Sequence, residues 1–259
     1  MIGIITKPNG MDKTIAFMEL KYGHIYGGTP WKKVVNDASI LIYKPETDQI
    51  RIYNKQFRGD LQIVLSNGKS DDLGITVGRN FEVLDLGTQR KMSYREDFVL
   101  PKNVEMKKKR EADKVKEQLK QFMVGIMKYQ QAETLVTFGG SRDVTLCKQA
   151  GVRFHRSMEI VDTQRLLQRY TKHLFSLNMI SKIVDYEYEF GWIRSNNCEY
   201  HIKERTQTQM RTNTATYDVC RQFLAHREFT DFQQSMIIKA ALQMQKVQEV
   251  LKEREAAKG

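Results

Sequence analysis

At 259 residues, with 41% hydrophobic and 10% aromatic side chains, the chain is long enough to bury a sizeable core and suits one elaborated domain. No stretch approaches the roughly 20 apolar residues of a membrane span, and the opening MIGIITKPNG lacks the basic region and apolar run of a secretory signal. A net charge of +11 favours polyanions through counterion release, so nucleic acid is the expected partner, with incidental basicity as the plainer alternative.

Residues 13–58 read as an antiparallel meander. Thr14–Leu20, Ala38–Tyr43 and Ile50–Tyr53 are apolar or alternating runs, and a polar turn at Glu46–Gln49 separates the last two. A glycine-rich link containing Gly27-Gly28 and Pro30-Trp31 joins the first two. Residues 59–105 suggest a β-rich insertion. Leu61–Leu65, Ile75–Val77 and Phe81–Leu86 are its candidate strands, and Asn67-Gly68 is its candidate turn.

From Val104 to Ala132 the apolar positions Val115, Leu119, Phe122, Met123, Ile126 and Met127 recur at helical spacing. Lys107, Lys108, Lys109 and Arg110 near its start suit either a solvated helix end or contacts to phosphates. Next, Leu135, Val136 and Phe138 form a short strand. Gly139-Gly140 breaks it, a helix opens around Asp143, and a second strand ends at Asp162-Thr163.

Helices are expected at Gln164–Lys172, Leu177–Val184 and Ala215–His226, with a strand or loop crossing over Glu187–Asn213. The terminal helix, Thr230–Ala257, carries Ile237, Ala241, Met244, Val247 and Leu251 on one face. That stripe suits packing on its own domain, or a protein partner or homodimer. Cys147, Cys198 and Cys220 are widely spaced and odd in number, so reduced thiols and a cytoplasmic location are expected.

The order of these elements, with Asp143 just after a strand-to-helix turn and Asp162-Thr163 matching a "DT" pair, resembles the DEDD-type, proofreading-like 3′–5′ exonucleases. The resemblance covers about residues 13–227. It implies a ribonuclease H-like α/β fold over residues 1–229: a five-stranded mixed sheet with its first three strands antiparallel, flanked by helices. Residues 59–105 would be an insertion and residues 230–259 an appended helix. It also implies phosphodiester hydrolysis by two divalent metals, magnesium or manganese, held by four carboxylates, with a histidine or tyrosine activating water.

Against that pattern the site is incomplete. The first motif needs an Asp and a Glu two apart on the opening strand, and the simplest match is Met18 and Leu20, neither of which binds a hard cation. A one-residue shift brings in Glu19 but pairs it with Lys21. Asp143 fits the second motif. In the third, Asp218 and Ala215 are kept, but Asn213 stands where the histidine belongs and Thr214 where the tyrosine would. Read alone, Asp143 is an ordinary helix-start cap and Asp218 an exposed charge. Arg142, Lys21 and Arg211 lie beside the motif positions and suit phosphate or the space of a metal. The scattered histidines make no metal-binding spacing, though His155 or His201 could reach the site by folding.

Three readings follow. The first is an exonuclease-like protein that binds nucleic acid, as a single strand or 3′ end, with impaired or no catalysis and no tightly bound cofactor. The second is an active exonuclease with a rearranged site built on Asp143, Asp218 and Glu19, with Asp143 and Asp218 as metal ligands. The third is a protein-interaction module.

Overall fold

The computed structural model describes residues 13–26, 33–70, 76–94 and 105–256 and shows a mixed α/β protein. The meander forms β1 (Ile15–Ile25), β2 (Lys33–Lys44) and β3 (Gln49–Gln56), paired antiparallel in the order β3-β2-β1. Most of the link holding Gly27-Gly28 and Pro30-Trp31 lies outside the described residues. Next come β4 (Gln62–Ser70), β5 (Thr76–Asp85) and β6 (Lys91–Tyr94), a second antiparallel run joined to the same sheet. Among the described residues the sheet therefore has eight strands rather than five.

Asn67-Gly68 is not a turn. It lies inside β4, opposite Asn80 and Arg79, because the hairpin pairs as far as Ser70 and Thr76. Local turn chemistry is overridden by the longer ladder.

After α1 (Glu105–Gln130), the chain forms β7 (Thr134–Thr137), α2 (Ser141–Gln149) and β8 (Glu159–Asp162). Strand β7 lies parallel to both β1 and β8. Two elements share one edge of the 11-residue β1: β7 pairs with Ile15 to Phe17, and β4 pairs with His24 and Ile25. Between them, the middle of β1 has no strand partner on that edge among the described residues, and α2 starts beside this gap.

Alternation along β1 builds two cores. Ala16, Met18 and Leu20 pack with Val115, Leu119 and Met123 of α1 and with Val144 and Cys147 of α2. On the opposite face, Phe17 packs with Leu41, Tyr43 and α6 (Ala215–Asp231). Helix α6 is buried along most of its length, since α3 (Thr163–Thr171), α4 (Leu177–Ile183) and α7 (Gln233–Ala256) cover its other side. The polar crossing forms a small sheet of β9 (Glu187–Glu189), β10 (Trp192–Arg194) and β11 (Glu199–His201), followed by the short α5 (Glu204–Gln207). Glu228 of α6 ties this sheet down, accepting hydrogen bonds from Ser195 Oγ at 2.7 Å and from the Asn197 N–H at 2.7 Å.

The terminal stripe is offset from its expected positions. Met236, Ala240 and Val247 are buried and Met244 is partly so, whereas Ala241 and Leu251 are exposed. The inward face keeps Met244 and Val247 of the expected stripe but takes Met236 and Ala240 in place of Ile237 and Ala241 where α7 docks on α4 and α6. None of the described helices is long and apolar enough to cross a membrane.

His226 is sealed in the α6 core beside Phe17, and its Nδ1 shares a 2.9 Å hydrogen bond with Thr163 Oγ1. Burial, aided by Arg227, lowers its pKa from 6.5 to about 4. The unfolded chain therefore takes up this proton before the native state does. Its contribution to stability is complete above pH 6.5 and is lost as pH falls to about 4, a change of roughly 3 kcal/mol. Acid unfolding of a His226→Gln variant, followed by circular dichroism, is expected to show a shallower loss over that window.

Candidate functional site

The turn that delivers Asp143 depends on its glycines. Gly139 has φ +65°, and a Cβ on Gly140 would stand 2.4 Å from Thr137 Cβ, so the chain can reverse tightly only without side chains there. The Gly139 N–H donates to Asp162 Oδ1 at 2.9 Å, and the same carboxylate caps α3 by accepting from the Gln164 N–H at 3.0 Å. The Asp162-Thr163 pair therefore has a structural task, clamping the turn and orienting His226.

Asp143 enters α2 in its first turn, but its side chain does not cap the helix. It reaches the gap on β1 and accepts a hydrogen bond from the Leu20 N–H. Asp218 is carried by the first turn of α6 and is likewise buried rather than exposed. That helix end is fixed by the Thr214 side chain, which accepts from the Tyr217 N–H at 3.1 Å, and by buried Asp37 of β2, which accepts from the Ala215 N–H at 2.8 Å. The register slips between Lys21 and Tyr22, leaving Asn36 of β2 as the extra residue next to Asp37.

Glu19 and Lys21 occupy the face that meets α6, whereas Met18 and Leu20 are core residues against α1 and α2. The shifted register, Glu19 with Lys21, is thus the one that faces the site. Lys21 Nζ donates to Glu19 Oε1 at 3.1 Å and also to Asp218 Oδ2. Asp218 Oδ1 accepts from Arg221 Nη1 at 2.9 Å, and Arg221 is held in turn by Ser181 Oγ at 2.7 Å and by Asn178. Glu19 and Asp218 therefore hold an ammonium, Asp218 also holds a guanidinium, and Asp143 lies near enough for the Glu19 and Lys21 charges to act on it.

Burial raises the Asp143 pKa well above its ordinary value, and repulsion from Glu19 adds to it. Burial also raises the Glu19 pKa, against the pull of Lys21. Burial alone would weaken the Lys21 ammonium, but Glu19 and Asp218 outweigh it and hold the lysine protonated beyond its usual range.

Because its pKa is raised, Asp143 keeps a proton in the native state that the unfolded chain releases. Its contribution to stability therefore falls as pH rises through the window above the ordinary carboxylate value. Asp143→Asn removes that penalty and keeps an oxygen for the Leu20 N–H. It is expected to stabilise the protein near neutrality, with the gain vanishing in acid, as thermal melts at several pH values would show.

The remaining sequence-derived positions fall outside this cluster. Asn213 is exposed in the turn before α6, with φ +70°, and Arg211 is exposed nearby. His155 shares a hydrogen bond with Ser157, and His201 packs edge-on to Trp192 at 5.0 Å, so neither reaches the site. Arg142 is exposed beside Asp143. Lys109 and Arg110 are solvated on α1, while Lys108 lies over the Tyr26 ring at 5.9 Å; the Lys107 side chain lies outside the described residues. Arg221, Asn178 and Ser181 were not foreseen. The only sequence signal for Arg221 is its position three residues after Asp218 on one helix face.

The donor set does not fit a divalent pair. Two of the three carboxylates are already bonded to the Lys21 ammonium, and Asp218 also to Arg221. Among the described residues, no group of three or more His, Cys, Asp or Glu side chains is arranged to hold a metal ion. A scan against known protein families finds no match, and a search of curated proteins finds no relative.

Proposed function

We propose that this protein is an exonuclease-like module that binds nucleic acid and whose carboxylate centre is neutralised by its own lysine rather than by metals. The observation that carries the reading is the Lys21 ammonium bonded between Glu19 and Asp218, at the position where the resemblance implies a metal. The strand order β3-β2-β1-β7-β8, with the last two parallel to β1, supports a ribonuclease H-like core to which β4, β5 and β6 are added. The net charge of +11 supports a polyanionic ligand.

In this reading Glu19, Asp143 and Asp218 serve architecture. They fix α2 and α6 against β1 and hold open the strand edge between β7 and β4. Arg142 stands at that edge, solvent-facing, and is a phosphate contact. The test is fluorescence anisotropy with a labelled single strand at increasing salt. Binding that weakens steeply with salt and is indifferent to chelator is expected; absence of binding would overturn the reading.

A further inference from the structure

Three cations, a histidine and two tyrosines gather at the outer end of β1, on the face opposite Glu19 and Lys21. His24 and Lys33 are direct cross-strand partners on β1 and β2. Lys33 Nζ sits over the Tyr22 ring at 4.9 Å, and Lys108 Nζ sits over the Tyr26 ring at 5.9 Å. Arg142, in the first turn of α2, is close enough that its charge, after burial, helps lower the pKa of both His24 and Lys33.

Lys33 and Arg142 are like charges that repel each other, and neither forms an ion pair among the described residues. Such a cluster would be relieved by an anion. The first turn of α2 adds backbone N–H groups without a side-chain cap. From Tyr22 to Tyr26 the strand runs about 13 Å, so the anion that matches it is extended.

We infer that this strip is a binding track for single-stranded nucleic acid, in which Lys33 and Arg142 contact successive phosphates, His24 adds a neutral N–H donor, and Lys33, in turning to a phosphate, uncovers the outer face of the Tyr22 ring for a base beside Tyr26. The inference rests on the nucleic-acid-binding reading above and assigns that ligand a place. A charged groove flanked by aromatic faces is how single strands are held without sequence preference. A duplex would engage the cations but has no base faces to offer the tyrosines. Lys108 positions Tyr26, since its ammonium also donates to the Tyr26 carbonyl.

The experiment uses the full chain and three probes: a labelled oligodeoxynucleotide, the matching oligoribonucleotide, and inorganic polyphosphate as competitor. The Lys33→Gln/Arg142→Gln variant is compared with Lys128→Gln/Arg169→Gln, which removes the same charge from exposed positions elsewhere. The strip variant is expected to lose at least tenfold in affinity and to reduce the salt slope by about 1.4, or about 0.7 for each phosphate contact. The control is expected to lose less than threefold. Thermal melts establish that both fold, and the strip variant is expected to melt no lower than wild type because like charges have been removed.

If wild type binds and both variants weaken equally, the strip is refuted and the functional reading survives. If wild type binds neither oligonucleotide, the functional reading itself fails. Polyphosphate competing as well as the oligonucleotides, phosphate for phosphate, would refute the assignment to a nucleic acid strand.

Discussion

Lys21→Ala is expected to destabilise the protein by about 3–5 kcal/mol at neutral pH, the usual cost of removing one member of a buried ion pair. The substitution leaves Glu19 and Asp218 facing each other across a largely buried gap, with Asp143 close by. Arg221 still compensates Asp218, so the cost should fall mainly on Glu19 and Asp143. A Lys21→Ala/Glu19→Gln double variant should therefore recover much of the loss. Denaturant unfolding of wild type, the single variant and the double variant gives the coupling directly. A single variant within 1 kcal/mol of wild type would mean that the ammonium is ornamental.

The second large effect is catalytic. Wild-type protein is expected to leave the 3′ end of a single strand intact in magnesium or manganese. Two-metal hydrolysis needs hard oxygen ligands around both ions to offset their mutual repulsion. Here a lysine holds two of the carboxylates, and Met18 and Leu20 are buried in the α1 core. At the position where the resemblance implies a general base, typically worth about a hundredfold to ten-thousandfold in rate, Asn213 stands exposed in a turn. Single-turnover digestion with excess protein, resolved on a denaturing gel, measures this. Metal-dependent trimming that is lost in both Asp143→Ala and Asp218→Ala would contradict it.

The segments whose pattern came from one buried face were readable from sequence. The meander, the helix of Val115, Leu119 and Met123, and the strand-turn-helix at Asp143 all lie where periodicity and glycines put them. The register of β1 was not readable, because both of its faces are buried. With Ala16, Met18 and Leu20 in one core and Phe17 in another, alternation gives no direction. Only the contact with α6 distinguishes the Glu19–Lys21 face.

Helix α6 hid its partners in the same way. Arg221, Gln222, His226 and Glu228 are all buried, so a pattern of polar positions there does not mark solvent. The role of Arg221 needs α4 in place, since Asn178 and Ser181 hold it. The cationic strip was invisible for a similar reason. His24 and Lys33 meet through β-pairing, and Arg142 joins them from a helix more than a hundred residues later in the chain.

The central claim is that Lys21 is the resident cation of the site, and manganese binding tests it most directly. In a titration followed by electron paramagnetic resonance, wild type is expected to leave millimolar manganese free, whereas Lys21→Ala is expected to bind it and to gain thermal stability as it does. Manganese bound by wild type, and released by Asp218→Ala, would contradict the account.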